Sequence, residues 1–583
     1  LYFKIMYYLT FLEKDNARLP TLFHLDDHDR CLLQKNGLYC LGDFELSPTE
    51  HSTVFEYIME YSSNPYTYNR SQLHRGYCVS ARCPSSERNA SLRFERCVDE
   101  RMRHHNLSAR LRTLQYCTTQ KQHQQTAKQP PDAAEQLFLQ VVYALLVLNI
   151  VGTVYDFGMG NREKSKYLYL FRASWRRLTA TYDDGDPRLK NLEPIQGLRV
   201  MAMLGTIYAH ICVQHYEFYV MNPNFLENLS FRTDGVLLAN GTSLIQLYVI
   251  ISTFLTTYIL LLYSQKRKLS FLMLPVLLLK RIIRLTPVHL LLVGYAATWW
   301  PYARSGALSA SHAFFLNNVI EKHDLCFGPT WFLPVDMHLY IVACVFTIIM
   351  SRRRNQALRM YGILFIISGL FCGVVNYITE WKALIYFSVP EKIRGVFRSE
   401  ESFGGFYTSS WGSLPACFLG LFTAHLHYEL QEQKYNCSGN KWLRLIHYWT
   451  APLGFLWVIV VGACMRWYKQ PLVTAAYIAL DRTAFCVIMF FLLFGSLNIE
   501  GIQRRLLGWR GWRVMARLSL PVMLVHWLIG VVLCARPTAY HTSVFDIVRS
   551  VDYLATVFYT YVIAVPIALL LEIPLQRFFS QFV

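Results

Sequence analysis

One arginine and one histidine, Arg199 and His210, stand eleven residues apart in NLEPIQGLRVMAMLGTIYAHICVQ, residues 191–214. Eleven steps of 100° make three turns plus about 20°, so on a helix both side chains share a face. A rise of about 1.5 Å per residue separates them by roughly 16 Å, half of a ~30 Å hydrocarbon core. If the segment crosses a bilayer, the guanidinium sits at the water boundary and the imidazole at mid-depth. An imidazole there can take a proton from a bound hydroxyl, or it can pack and bond a neighbouring carbonyl. Polar groups at membrane depth are costly, so either role needs a partner.

Other pairs follow the same logic. KRIIRLTPVH places Arg281 and Arg284 at i and i+3, just before Pro287. They either anchor a helix at lipid headgroups or form a fork for phosphate oxygens. In PTWFLPVDMHLYIV, Trp331 opens an apolar run, and Asp336 and Tyr340 follow at i and i+4. A carboxylate in such a run calls for an arginine or histidine from a neighbouring helix. Arg482, in ALDRTAF, is a candidate. His526, in RLSLPVMLVHWLIG, suits a core as well as a site.

The 583-residue chain that must position these groups is 53% hydrophobic and 16% charged, against about 25% charged in soluble domains. Apolar blocks fall near 135–154, 200–220, 242–263, 269–300, 330–350, 360–378, 411–428, 446–465, 473–497, 515–535 and 551–573. The expected fold is an all-α polytopic membrane bundle of about 10–11 helices. The fourth block is too long for one crossing, so its first part is expected to lie along the interface. The net charge of +18 falls in short loops, among them Arg172, Arg176 and Arg177, then Lys266 to Lys268, Arg352 to Arg354, and Arg504 and Arg505. Opposite loops are poorer, apart from 379–410. This is the positive-inside pattern and argues against a nucleic-acid partner. It places the N-terminal region outside the cytosol and the C-terminus inside, in either the endoplasmic reticulum or the plasma membrane.

Residues 1–132 read as a small domain with Cys31, Cys40, Cys78, Cys83, Cys97 and Cys117. An even cysteine count without a long apolar run implies a disulfide framework, its connectivity open, in an oxidising compartment. Glycosylation sequons at Asn69, Asn89 and Asn106, and at Asn228 and Asn240 in a later loop, fit a luminal or extracellular side. The sequon at Asn436 falls on the cytosolic side and is expected to stay bare. Zinc is the rival reading for the cysteines, with His104, His105 and His123 nearby, but the ligand spacings of zinc sites are missing and no metal is expected. TTQKQHQQTAKQPP, residues 118–131, reads as a linker. Residues 133–190 comprise the first span and a basic loop, and 191–583 the remaining spans. LYFKIMYYLTFL at the start is either a signal-core remnant or plain apolar chain.

Over nearly its whole length the sequence resembles the nose resistant to fluoxetine group of animal membrane proteins, within the acyltransferase-3 superfamily. HRGYCVSARCP resembles that group's cysteine-containing extracellular domain. GLRVMAMLGTIYAH matches the superfamily's Arg, ten residues, then His, and RIIRLTP its R-x-x-R-L-x-P element. TWFLPVDMHLY, ALDRTAF and LLGWRGWRVMARLSLPVMLVH are similar to later motifs, in the family's order. The resemblance implies an integral membrane O-acyltransferase that moves an acyl group from acyl-CoA to a hydroxyl on a lipid or other small acceptor. Acyl-CoA is then a co-substrate rather than a bound cofactor. His210 would be the general base, with Arg199 and Asp336 in the catalytic set. Arg281, Arg284, Trp331, Tyr340, Arg482 and His526 would surround the substrates. The chain departs from the family in three places: IQLYVIISTFL has Gln246 for an acid and Thr253 for a glycine, SSWGSLPACFLG has Ser409 and Gly412 for an Arg and a Pro, and the loop before Trp331 keeps one cysteine, Cys326, where the family often has a second. A carrier of hydrophobic molecules, or a silent scaffold on the same fold, is the alternative.

Overall fold

The computed structural model describes residues 19–83, 87–126, 130–158, 171–181, 186–231, 243–299, 310–320, 327–465, 468, 470–535 and 551–582. The apolar start and the Asn240 sequon lie outside the described residues.

The N-terminal domain is built on a four-stranded sheet that the cysteine pattern alone does not announce. Its strands are β1 (Phe23–Leu25), β2 (Leu38–Pro48), β3 (Gln72–Cys78) and β4 (Leu107–Thr119), in the order β1-β3-β2-β4. β1 runs parallel to β3, and the other pairs are antiparallel. Along β2 the alternate residues Cys40, Gly42, Phe44 and Leu46 are buried, the period of a half-covered strand. Helix α1 (Thr53–Ser62) adds Ile58 and Tyr61 to that core, and α2 (Ala90–Arg103) adds Phe94, Cys97, Val98 and Met102. Asn89 caps α2 by accepting the amides of Ser91 and Leu92 at 3.0 and 3.4 Å. Three disulfides close the domain: Cys31–Cys78, Cys40–Cys117 and Cys83–Cys97. Cys40 and Cys117 face each other directly in the β2–β4 register. The expected linker is partly ordered, because Thr118 and Thr119 still pair with Tyr39 and Leu38 and a helix follows over Gln120–Thr126.

The remainder is helical. After α3 (Ala133–Gly158) come α4 (Pro194–Glu217), the short α5 (Pro223–Phe231), α6 (Ser243–Ser264), α7 (Leu274–Trp299) and α8 (Phe332–Ser351). α9 (Arg354–Thr379), α10 (Leu414–Glu432), α11 (Lys441–Leu456), α12 (Pro471–Asn498), α13 (Ser519–Cys534) and α14 (Val551–Ile567) complete the bundle. α14 continues through a π turn, Ala568–Glu572, into a last helix, Ile573–Phe579. Each expected apolar block is thus a long helix, and seven of these are long and apolar enough to cross a membrane by length and composition alone. The fourth block is one continuous helix, α7, with Pro287 inside it. A 3-10 turn, Phe271–Met273, precedes it. α4 packs on α13, α13 on α14 and α7, and α6 on α8 and α10.

The N-terminal domain docks on α5 and on the helix Pro390–Arg394. Glu227 of α5 has a completely buried side chain and meets Arg70, whose side chain is 5% exposed, at 3.2 Å. The carboxylate also accepts the Tyr61 hydroxyl at 2.6 Å and the Tyr68 amide at 2.8 Å. Arg70 donates to Asn224 as well, and the Asn69 amide donates to Glu391 at 2.7 Å. A buried ion pair stays stable only when its remaining hydrogen-bonding capacity is met in this way.

Candidate functional site

α4 opens with Pro194 in its first turn, where the missing N–H costs nothing. It runs unbroken through both Arg199 and His210, so the expected shared face is real. That face is stitched to α13 at three levels. Arg199 donates to Ser519 Oγ at 2.7 Å, His210 Nδ1 meets His526 Nε2 at 2.7 Å, and Gln214 Nε2 donates to the Trp527 carbonyl at 2.8 Å. Gly530 permits the close approach, since a Cβ there would lie 2.2 Å from Gln214 Oε1.

The histidine pair has a defined polarity. His526 Nδ1 lies 3.1 Å from the Val522 carbonyl, and a carbonyl oxygen only accepts, so Nδ1 of neutral His526 carries the proton. Its Nε2 is then a lone pair, and His210 Nδ1 must donate to it. His210 Nε2 is left as a lone pair with no hydrogen bond to any described residue. The two rings are within 5° of parallel with centroids 5.0 Å apart. That separation matches two ring radii plus a collinear nitrogen-to-nitrogen bond, so the rings meet edge to edge rather than stacking. The Trp527 indole stands across His210 at 5.1 Å and fixes its tilt.

Two turns closer to the start of α4, a cavity of about 420 Å³ opens at the end of the bundle away from the N-terminal domain. Its polar lining includes Arg199, Ser252, Lys280, Arg281, Arg284, Asp336, Tyr340 and Ser519; its apolar lining includes Leu255, Ile259, Leu277 and Leu285. Met203 and Met523 form the wall nearest the histidines. The partner of Asp336 is Arg281 of α7, in a short ion pair. Ser252 bridges the two, donating to Asp336 at 2.7 Å and accepting from Arg281 at 3.1 Å. The Arg281 guanidinium also lies 4.9 Å over the Tyr340 ring. Arg284 and Lys280, one on each side of Arg281 in the sequence, are exposed and make no side-chain hydrogen bond or ion pair with any described residue.

The remaining candidates lie elsewhere. Trp331 is buried against Phe332 and Tyr407 and does not line the cavity. Arg482 is not the partner of Asp336. It donates to the Gly412 carbonyl and sits 4.0 Å over the Phe406 ring, with Tyr407 at 5.9 Å. Two of the departures from the family pattern meet nearby: Gln246 Nε2 donates to Ser413 Oγ at 3.3 Å, and Ser409 Oγ donates to the Phe406 carbonyl at 2.7 Å; the third, Cys326, lies outside the described residues. Thr253 is accommodated because Gly420 faces it, where a Cβ would fall 2.0 Å from Thr253 Oγ1. Sequence reading missed Ser252, Ser519 and Lys280. Hydroxyls inside apolar segments were the available signal.

Asn89, Asn106 and Asn436 are exposed; Asn69 is half-buried at the docking surface, and Asn228 sits half-buried on α5.

The helical bundle thus holds a cationic cavity at one end and a polarised imidazole farther in on the same helix. Residues 193–573 match the acyltransferase domain of the acyltransferase-3 family, and the chain belongs to that family. No curated protein and no solved structure compared with the chain gives a match.

Proposed function

We propose that the chain is a membrane O-acyltransferase whose donor is acyl-CoA and whose acceptor is a hydroxyl of a lipid or other small molecule. Within its family we place it in the nose resistant to fluoxetine group, on the strength of its disulfide-closed N-terminal domain. The observation that carries the reading is the His210–His526 bond, which leaves His210 Nε2 as a base on the helix face that also bears Arg199. An acyl-CoA carries phosphates and thioester at opposite ends of an extended pantetheine arm, the same polarity as this face. Arg284, Lys280 and Arg199 hold the phosphates, while Asp336 and Ser252 keep Arg281 aimed along the cavity wall. The apolar lining takes the acyl chain and keeps water from the thioester.

In the reaction the acceptor oxygen attacks the thioester carbonyl carbon as His210 Nε2 takes the hydroxyl proton. The new C–O bond forms, the C–S bond breaks, and the proton passes from His210 to the departing thiolate. While His210 is cationic, its Nδ1–H bond to His526 is charge-assisted. His526 is a positioning residue that fixes the tautomer. His210→Ala should lower product formed from labelled acyl-CoA in membranes by about 10²–10⁴-fold, with acyl-CoA binding retained. Activity per folded molecule that survives this change would sink the assignment. A chain that never forms product yet retains a hydrophobic ligand would instead be the carrier.

The same proposal places the N-terminal domain outside the cytosol. Its disulfides, the exposed sequons at Asn89 and Asn106, and the loop charges support this orientation. Glycosidase treatment should shift the mobility of the protein, and Asn89→Gln with Asn106→Gln should remove most of the shift. Sugar on Asn436 would reverse the orientation.

A further inference from the structure

We propose that His215, Cys534 and Asp552 form a binding site for a divalent metal ion of the zinc class, at the end of the bundle nearest the N-terminal domain. The three come from the last turn of α4, the last residue of α13 and the first turn of α14. One potential ligand atom from each lies within 4.8 Å of the others. His215 is 1% exposed and Cys534 3%, while Asp552 is half-buried. The Asp552 carboxylate takes no hydrogen bond and no ion pair from any described residue.

The donor set decides the kind of ion. Nitrogen, thiolate sulfur and carboxylate oxygen are the ligands of zinc, with bonds of about 2.0–2.3 Å. Calcium and magnesium take oxygen ligands, so a site with a buried thiol and imidazole does not suit them. Tetrahedral ligands at those bond lengths stand roughly 3.3–3.8 Å apart, which small side-chain rotations reach from the present spread. Charge supports the same assignment. A thiolate, a carboxylate, a neutral imidazole and a divalent cation sum to zero, which removes the penalty of enclosing any one charge alone. Three protein ligands leave a fourth position for water.

Such an ion would tie together the ends of α4 and α13, the two helices that carry His210 and His526. Its role would be to hold their register. No motif spacing announces the site, because each ligand comes from a different helix.

The test uses the full-length chain purified in detergent without chelator. Mass spectrometry should find stoichiometric zinc, and adding zinc to stripped protein should raise its melting temperature, because a ligand that binds only the folded state stabilises it. Cobalt in place of zinc should give a thiolate charge-transfer band that disappears in Cys534→Ser. Asp552→Asn, nearly isosteric, should lose most of the zinc-dependent melting shift. If Cys534→Ser does not fold, the wild-type zinc titration and the Asp552→Asn comparison still decide. Wild-type protein whose melting temperature ignores zinc, or a cobalt–thiolate band that persists in Cys534→Ser, overturns the proposal.

Discussion

Where the N-terminal domain meets the bundle, Glu227 is wholly enclosed and both its oxygens are bonded, by Arg70, Tyr61 and the Tyr68 amide. At the opposite end, Arg281 is equally well partnered, by Asp336, Ser252 and the Tyr340 ring. Beside it, however, Arg284 and Lys280 line an open cavity and make no side-chain hydrogen bond or ion pair with any described residue, Arg284 meeting the buried Glu572 only through its longer-range field. The first region has matched charge for charge, the mark of a joint whose function is to stay closed. The second has surplus positive charge held next to a fixed ion pair, which suits an anion that arrives from outside. Partnership, rather than burial alone, distinguishes structural charge from charge kept for a ligand.

The joint can be broken most severely at Glu227. Glu227→Ala leaves the Arg70 guanidinium enclosed without a counter-charge, a loss of about 3–5 kcal/mol. Glu227→Gln keeps an acceptor for Tyr61 and should cost less. Thermal melting of the full chain, with limited proteolysis at the segment joining the domain to α3, reads both. A Glu227→Ala protein that melts and cleaves like wild type would mean the joint is held by other contacts, such as Glu391 on the Asn69 amide.

How much of this contrast could be read in the sequence depends on range. The long helices were legible because each is an apolar run of the right length, and the Arg199–His210 face was legible because one helix fixes both residues. Helices α4 and α7, which carry most of the site, are interrupted by Arg199, His210, Lys280, Arg281 and Arg284 and fall outside the seven that pass as spans by composition. Those interruptions were the signal. Partners were not legible: Asp336 could not be assigned to Arg281 rather than Arg482, nor His526 to His210, because helix packing decides these pairs. The disulfide pairing was hidden for the same reason, since Cys40 meets Cys117 only through the β2–β4 register. β2 shows the alternation of a strand over 11 residues, but in a region read for its cysteines that period was not used.

The cavity offers a sharper version of the contrast within one turn of helix. Arg284→Ala removes a cation that makes no hydrogen bond or ion pair and meets Glu572 only at longer range, so it should change melting little and weaken acyl-CoA binding by about tenfold, the value of one charge-assisted contact. The loss should shrink at high salt, where screening already blunts the contact. Arg281→Ala strips Asp336 of its ion pair and should lower the melting temperature whether or not ligand is present. Equilibrium binding at two salt concentrations, beside melting curves, separates the two roles. If both substitutions lower melting equally, Arg284 is structural too, and the distinction drawn between them fails.

The smallest expected effect lies in the sheet of the N-terminal domain. His74 on β3 meets Asp43 on β2 at 2.5 Å, with Gln115 on the other carboxylate oxygen at 3.0 Å. Burial holds His74 below the usual histidine range, outweighing the opposing hydrogen bond from Asp43, and Arg394 adds to the lowering. For Asp43 burial pushes upward, but the bonds from His74 and Gln115 win and hold it below the usual carboxylate range. Both shifts act in the same sense. The unfolded chain binds protons more readily than the folded one at either group, so stability rises with pH in both windows. His74 contributes its part above the unfolded value of about 6.5 and loses it as pH falls toward the folded value. Asp43 contributes above about 3.9 and loses its part only in stronger acid. Between pH 7 and 5 Asp43 therefore contributes nothing to the change, and His74 acts together with His24 on β1, which burial and then Arg82 and Arg75 also hold below the usual histidine range. Hydrogen exchange at the β3 amides of the full chain, corrected for the intrinsic pH dependence, should show protection falling over that interval. His74→Gln should reduce the change, and His74→Gln with His24→Gln should flatten it, while the exchange of α6 and α10 in the bundle should not follow it. Protection that rises on acidification would mean that His74 is held in its charged form by Asp43.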